Sequence, residues 1–272
     1  MANPSAIGEL KAILLIEVDA FCRAHAEART EVGEFLETIR ANRWPAVFFG
    51  GTLRSLLVDR VFHDRRGRPR DLDIVFRGPE LASLREAFGP LIARETRFGG
   101  LQLRTGDWQF DVWPLDQTWA IREDGVSRPG FEYLPRTTFL NIEAVAVDVW
   151  PTDGDRRIYA GDDGFFRAIL SREVEINRPE NPFPELCVVR SLLMAHDLGF
   201  RIGPELARFI DRHGSRMDLP CFDRVQMKHY GHVRIPSATF RSWVEDHAAG
   251  ISADSTCLPH RRCVSADGLA TV

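Results

Sequence analysis

Lysine is almost missing from this chain. It occurs only at Lys11 and Lys228, so nearly all of the 35 Lys and Arg residues are arginine. Any phosphate the protein recognises must therefore be held by guanidinium forks rather than by lysine point charges. An excess of positive charge is missing too. With 39 Asp and Glu residues the formal net charge is −4, which excludes a surface that wraps nucleic acid widely and confines any such contact to a local patch. Long apolar runs are absent. The longest, such as Ala12 to Ile16, fall far short of the ~20 residues that span a bilayer, so no membrane association is expected. The N-terminus lacks a basic stretch followed by an apolar segment and a small-residue cleavage site, so no secretory signal is expected. Cysteine is sparse and odd in number: Cys22, Cys187, Cys221, Cys257 and Cys263 do not form a disulfide framework. Reduced thiols and a cytoplasmic location are the expectation. No internal repeat is present.

What remains is an ordinary globular composition. The chain has 272 residues, 44% hydrophobic and 27% charged, which rules out disorder of the whole chain and fibrous structure, and leaves room for one large domain or two modest ones. Ser5 to Arg40 reads as helix with a weak point near Thr30. Leu10, Leu14, Val18 and Phe21 recur at helical spacing, and Val32, Phe35, Leu36 and Ile39 continue the pattern. Ala46 to Phe49 is a short apolar strand ending at Gly50-Gly51, after which Leu53, Leu56, Leu57 and Phe62 mark another helix. Asp71 to Phe76 alternates as a strand does, and Pro79 to Ala93 reads as helix. Leu101–Arg104 and Trp108–Trp113 flank Thr105-Gly106-Asp107 as a hairpin, and Phe139 to Val149 is a further strand-like run. From Gly164 the pattern turns helical, through 165–170, 184–198, 204–213 and 237–247.

The chemistry concentrates at three places. On a strand, Asp71 and Asp73 project from one face about 7 Å apart, while Leu72 and Ile74 pack inward. Paired carboxylates repel unless a cation lies between them, and hard oxygen ligands suit Mg²⁺. Alone, the triplet reads equally as a solvated strand edge. Asp111 shares a strand face with Gln109 and Trp113 in an otherwise apolar segment, where an unpaired charge is costly. If its strand lies beside that of Asp71 and Asp73, the three acids form a two-metal site. Gly50-Gly51 follows a strand and opens a helix, so its backbone can approach a phosphate at a helix N-terminus, with Arg54 one turn further on.

Gly50-Gly51-Thr52-Leu53-Arg54-Ser55-Leu56-Leu57, followed by Arg70-Asp71-Leu72-Asp73-Ile74-Val75, resembles the head domain of bacterial CCA-adding tRNA nucleotidyltransferases and poly(A) polymerases. These belong to the nucleotidyltransferase superfamily with the polymerase-β-like fold. Thr138 to Ala146 sits where the family carries an R-R-D-F-T-I-N-A strand, and Val188 to Ile202 resembles its neck helix, so the likeness runs from about Val47 to Ile202. The resemblance implies an α/β (α+β) architecture. Residues 1–43 form an N-terminal helical segment, 44–160 a head with a mixed sheet, 161–250 a helical neck-like domain and 251–272 a loose tail. It implies that Asp71, Asp73 and Asp111 bind two Mg²⁺ ions, and that Gly50, Gly51 and Arg54 hold a nucleoside triphosphate. A nucleoside monophosphate then passes to an acceptor hydroxyl with release of pyrophosphate.

The departures from the family are specific. Ser55 replaces the acid of G-G-x-V-R-D, and Thr137-Thr138-Phe139 replaces R-R-D, with Arg136 displaced by one residue. The base-reading E-D-x-x-R set falls on Phe183, Pro184 and Cys187, leaving Arg190 one helical turn beyond to reach a base or phosphate. The stretch after Ile202 is shorter than the body and tail with which the family grips tRNA. The favoured acceptor is an RNA 3′ end such as tRNA, contacted through the segment from Arg60 to Arg70, which also contains Arg65, Arg66 and Arg68 and reads otherwise as a solvated loop. The alternatives are a protein or small-molecule acceptor, or a nucleotide-binding module without turnover. Cys257, His260 and Cys263 are zinc-capable but lack an obvious fourth ligand. His196 falls on the apolar stripe of the neck helix and reads as a packed histidine, and Trp108 and Trp113 read as core before they read as base-stacking residues.

Overall fold

The computed structural model describes residues 4–62, 71–151 and 154–248. Arg65, Arg66, Arg68 and Arg70, the tail from 251 to 272, and with it Cys257, His260 and Cys263, lie outside the described residues. The chain divides into two compact units, Met1–Leu170 and Ser171–Val272.

The first unit opens with two helices, α1 (Pro4–Glu27) and α2 (Glu31–Ala41). The break between them falls at the weak point in the sequence. Arg29 takes a positive φ of 48°, and the Thr30 hydroxyl caps α2 by accepting a hydrogen bond from the Gly33 N–H. Gly33 is required for packing, because a Cβ there would lie 2.4 Å from the His25 carbonyl oxygen. Gly33→Ala should therefore force α2 away from the end of α1 and cost about 1–3 kcal/mol. A chemical-denaturation midpoint unchanged from wild type would show that the junction yields freely.

A seven-stranded sheet follows, built from β1 (Ala46–Phe49), β2 (Asp71–Phe76), β3 (Ile92–Glu95), β4 (Leu101–Thr105), β5 (Trp108–Pro114), β6 (Ala146–Asp148) and β7 (Ile158–Tyr159). The spatial order is β3-β4-β5-β2-β1-β6-β7. Only the β2–β5 pair is parallel; the other pairs are antiparallel. Helix α3 (Gly51–Phe62) joins β1 towards β2, α4 (Leu81–Phe88) precedes β3, α5 (Trp119–Glu123) follows β5, and α6 (Gly164–Ser171) closes the unit.

Alternation along β2 and β5 sorts the side chains. Leu72, Ile74, Phe110 and Val112 are fully buried on one face, together with Phe48 of β1. Helix α2 covers this face: Phe35 stacks on Phe110 and Phe88 with ring centroids 4.3 and 4.7 Å apart. Trp108 is 5% exposed and packs edge-on against Phe21 and His25 of α1, so it is core as expected. The other face carries the polar set: Asp71, Asp73, Gln109, Asp111 and the partly buried Trp113.

The second unit is largely helical, with α7 (Pro184–Leu198), α8 (Pro204–Gly214), α9 (Leu219–Tyr230) and α10 (Ser237–Ala248) beside a short parallel pair, β8 (Glu173–Val174) and β9 (Arg201–Ile202). Glu175 sits at the start of α8, its carboxylate accepting from the Glu205 and Leu206 N–H groups at 2.9 and 2.6 Å.

Four local readings change. The apolar run Phe139–Val149 is strand only over Ala146–Asp148; Asn141–Glu143 is a 3₁₀ turn closed by Ala144 N–H to the Asn141 carbonyl. Leu140, Ile142 and Ala144 are buried while Phe139, Asn141 and Glu143 are partly exposed, so the turn imitates the period of a strand. The helix expected over Pro79–Ala93 stops at Phe88, before Gly89-Pro90, and the chain re-emerges as the edge strand β3. The second unit adds β8, β9 and an unanticipated α9, capped by Asp218, whose carboxylate accepts from the Cys221 N–H at 2.7 Å. His196 is not packed in the core; it is half-exposed beside Asp197, at 3.5 Å. None of the described cysteines, Cys22, Cys187 and Cys221, is in a disulfide, and burial pushes the Cys22 thiol up to about 11.

Candidate functional site

The β1–α3 turn builds the floor of the site. Gly50 adopts a left-handed conformation, φ +55°, donating its N–H to the Val145 carbonyl at 3.0 Å. This turn brings the start of α3, whose first N–H groups have no carbonyl partner within the helix, beside Asp73 on the polar face of the sheet. Thr52, 1% exposed, locks the helix start to β2: its hydroxyl donates to the Asp71 carbonyl and accepts from the Asp73 N–H, both at 3.3 Å. A Cβ on Gly51 would lie 3.6 Å from Asp73 Oδ2 and 3.5 Å from Arg54 Nη2. Glycine at 51 thus leaves open the space where the helix start, a carboxylate and a guanidinium converge.

Register brings in the third acid. The parallel β2–β5 pair sets Asp73 opposite Asp111 and Asp71 opposite Gln109. All three sequence-singled acids lie on one face of two neighbouring strands. The Asp111 carboxylate is held by two amides: Gln102 Nε2 donates to Oδ1 at 3.0 Å and Gln109 Nε2 to Oδ2 at 3.3 Å. Gln102, opposite Asp111 on β4, in turn accepts from Arg94 Nε at 3.0 Å. Burial pushes the Asp111 carboxyl up, the Asp71 charge adds to this, and the Gln102 bond, the Gln109 bond and the Arg94 charge oppose it.

A raised carboxyl binds its proton more tightly in the folded than in the unfolded chain. Its contribution therefore favours the fold below the ordinary Asp value and is lost as pH rises through the raised value. Asp111→Asn should flatten that part of the pH–stability profile relative to wild type. Melts across pH 3 to 8 that give parallel profiles would show that Asp111 titrates as an ordinary surface acid.

Among the described residues, no three His, Cys, Asp or Glu side chains form a group that encloses an ion. The donor chemistry nonetheless suits a hard divalent cation: three carboxylates share one face, and the two amide bonds leave lone pairs on Asp111.

The remaining sequence candidates are distributed differently. Arg54 is not open to solvent as a ready phosphate fork; its Nη1 donates to Glu143 Oε1 at 2.8 Å, with the two side chains 17% and 13% exposed. Arg136 is exposed on the turn Phe131–Thr137, its guanidinium 5.9 Å from the Tyr133 ring centre. Arg190 is exposed on α7, in the second unit, where Cys187 is core. The hydroxyls of Thr137 and Thr138 donate to backbone carbonyls, at 2.7 Å to Leu134 and 3.0 Å to Leu140.

Sequence reasoning missed Thr52, Gln102, Gln109 and Glu143 as site residues. Gln102 was findable: a hairpin turning at Gly106-Asp107 places residue 102 opposite 111. Glu143 carries the signal that marked Asp111, an acid within an apolar run.

No family model matches the chain, and no curated protein matches its sequence. Solved structures do match. A CCA-adding enzyme complexed with CTP aligns at a TM-score of 0.54 and 16% identity, over 83% of this chain and 54% of that one. A CCA-adding enzyme with ATP aligns at 0.51 and 17%, over 77% and 49%. The Thermotoga maritima CCA-adding enzyme complexed with tRNA aligns at 0.52 and 18%, over 76% and 48%. The chain spans about half the length of these proteins. No helix among the described residues is long and apolar enough to cross a membrane. The glycine turn, the D-x-D strand and the parallel partner strand carrying Asp111 thus stand on a fold like that of the solved CCA-adding enzymes.

Proposed function

We propose that the protein is a nucleotidyltransferase, transferring a nucleoside monophosphate from a nucleoside triphosphate to an acceptor hydroxyl. The observation that carries this reading is the register setting Asp73 opposite Asp111, with Asp71 beside them and Gly51 at the rim. Asp71 and Asp73 would hold two Mg²⁺ ions, with Asp111 completing the shell of the ion on its side. Bound there, the ions supply Lewis-acid stabilisation of charge on the phosphoryl oxygens and acidify the acceptor hydroxyl. Thr52 fixes the strand segment from which both D-x-D acids project. Gln102 and Gln109 orient the Asp111 carboxylate. The start of α3, at Gly50 and Gly51, offers N–H groups to the phosphate chain. Arg136, exposed in the same unit, is the guanidinium left for the phosphate chain once Arg54 is paired with Glu143. The acceptor oxygen forms its bond to the α-phosphorus as the bond to pyrophosphate breaks, and the acceptor proton leaves to solvent or to a site carboxylate.

The acceptor we favour is an RNA 3′ end, tRNA being bound by one of the structural neighbours, with the segment from Arg60 to Arg70 as the contact. A protein or small-molecule acceptor is the second reading. Thr137 and Thr138, whose hydroxyls are spent on backbone carbonyls where the resembled enzymes carry arginines, favour instead a nucleotide-binding module without turnover. Incubating the protein with each α-labelled NTP, Mg²⁺ and pools of RNA, protein and small metabolites decides between them. Label in RNA supports the first reading, label only in protein or metabolite the second, and NTP binding without pyrophosphate release would leave a binding module.

A further inference from the structure

Arg54 and Glu143 are 89 residues apart in sequence and meet at the rim of the site. Glu143 closes the 3₁₀ turn Asn141–Glu143, which packs against α3, and a Cβ on Gly50 would lie 3.6 Å from the Glu143 carbonyl oxygen. The acid is thereby brought to the glycine turn itself. The guanidinium spends one Nη group on Glu143, while the other lies beside Gly51, on the side where Asp73 Oδ2 approaches. With both side chains largely buried, solvent does little to screen their charges from each other or from an incoming ligand.

The charge balance follows directly. Asp71, Asp73 and Asp111 make the polar face strongly negative, and Arg54 is the cation that the glycine turn places against it. Glu143 cancels that cation. A nucleoside triphosphate arriving without a counter-ion meets repulsion from these three carboxylates, offset by the dipole and N–H groups of α3. A triphosphate carrying a divalent cation brings that positive charge towards three carboxylates on one face of the sheet.

We propose that Glu143 is a specificity-determining residue: by neutralising Arg54 it makes retention of a nucleoside triphosphate conditional on the accompanying divalent cation. The inference rests on the nucleotidyltransferase reading above and adds a selectivity filter to it. Metal-free triphosphate is kept out, so the site does not fill with a donor that cannot react.

Titration calorimetry of ATP into the full chain, once with Mg²⁺ and once with EDTA, measures this without any turnover. Glu143→Gln keeps an oxygen able to accept from Arg54 Nη1 and removes the charge. It should tighten binding in EDTA about tenfold and narrow the Mg²⁺/EDTA affinity ratio by a similar factor. A ratio equal to that of wild type, or weaker binding in EDTA, overturns the assignment of Glu143 while leaving the nucleotidyltransferase reading intact. Wild-type protein that binds ATP in neither buffer overturns both. Should Glu143→Gln fail to fold, the double variant Arg54→Met/Glu143→Met decides. Removing a neutral pair should leave ATP affinity in EDTA near wild type, whereas a loss of more than about tenfold would show that Arg54 attracts phosphate despite its partner.

Discussion

Asp73→Ala is expected to reduce nucleotidyl transfer by about 10³-fold or more while leaving a folded protein. That loss corresponds to roughly 4 kcal/mol of transition-state stabilisation, the scale on which a metal-held phosphoryl charge is supported. The side chain sits on the polar face, whereas Leu72 and Ile74, its neighbours in β2, are fully buried. Its removal takes away one of three like charges, so the apo melting free energy should stay within about 1 kcal/mol of wild type. Stabilisation by ATP with Mg²⁺ should disappear with the ligand set. Melts with and without Mg²⁺ and ATP, alongside single-turnover rates, make the comparison. A variant that is unfolded without ligand would make Asp73 a structural partner and remove the main support for catalysis.

Phe35→Ala should do the reverse. Phe35 is 2% exposed and stacked against both Phe110 and Phe88, so α2 is fastened through it to β5 and α4. Truncation leaves a cavity against the strand that bears Asp111, and a loss of about 3–5 kcal/mol is expected. At a temperature where the variant remains folded, its affinity for ATP with Mg²⁺ should stay close to wild type, because the cavity opens on the far face of the sheet. A denaturation midpoint shifted by the equivalent of less than about 1 kcal/mol would mean that neighbouring rings collapse into the space.

These two substitutions separate because strand alternation separates core from chemistry, and that division was legible in the sequence. Asp71 and Asp73 against Leu72 and Ile74, and Asp111 against Phe110 and Val112, follow from a period of two. The glycine turn was legible through Gly50, which the fold holds at positive φ. What was not legible depends on partners distant in the chain. Nothing around Arg54 announces Glu143, since the ion pair exists only once the 3₁₀ turn packs on α3. An arginine following a glycine pair reads as a phosphate ligand; whether its charge is available is settled by tertiary structure. The Phe139–Val149 run failed for the opposite reason: from Phe139 to Ala144 partly exposed and buried residues alternate as in a strand, although Asn141–Glu143 is a turn.

The parallel pairing of β2 with β5 also has a kinetic side. The β4–β5 hairpin is local and can close in about 1–10 μs, whereas β5 pairs with β2 across a long separation in sequence, the kind of contact that forms more slowly. Until then Asp111 and Asp73 belong to separate pieces of chain. A slip of one residue between β2 and β5 would turn Asp111 into the layer occupied by Phe110 and bring Phe110 out to water. A carboxylate forced among Phe35, Phe88 and Ile74 is costly enough to disfavour that trap. The acids proposed to grip the donor would thus also disfavour a misregistered sheet. Neutralising Asp111 should lengthen the population of misregistered chains during refolding, a slow phase that stopped-flow fluorescence from Trp108 and Trp113, at the two ends of β5, would register.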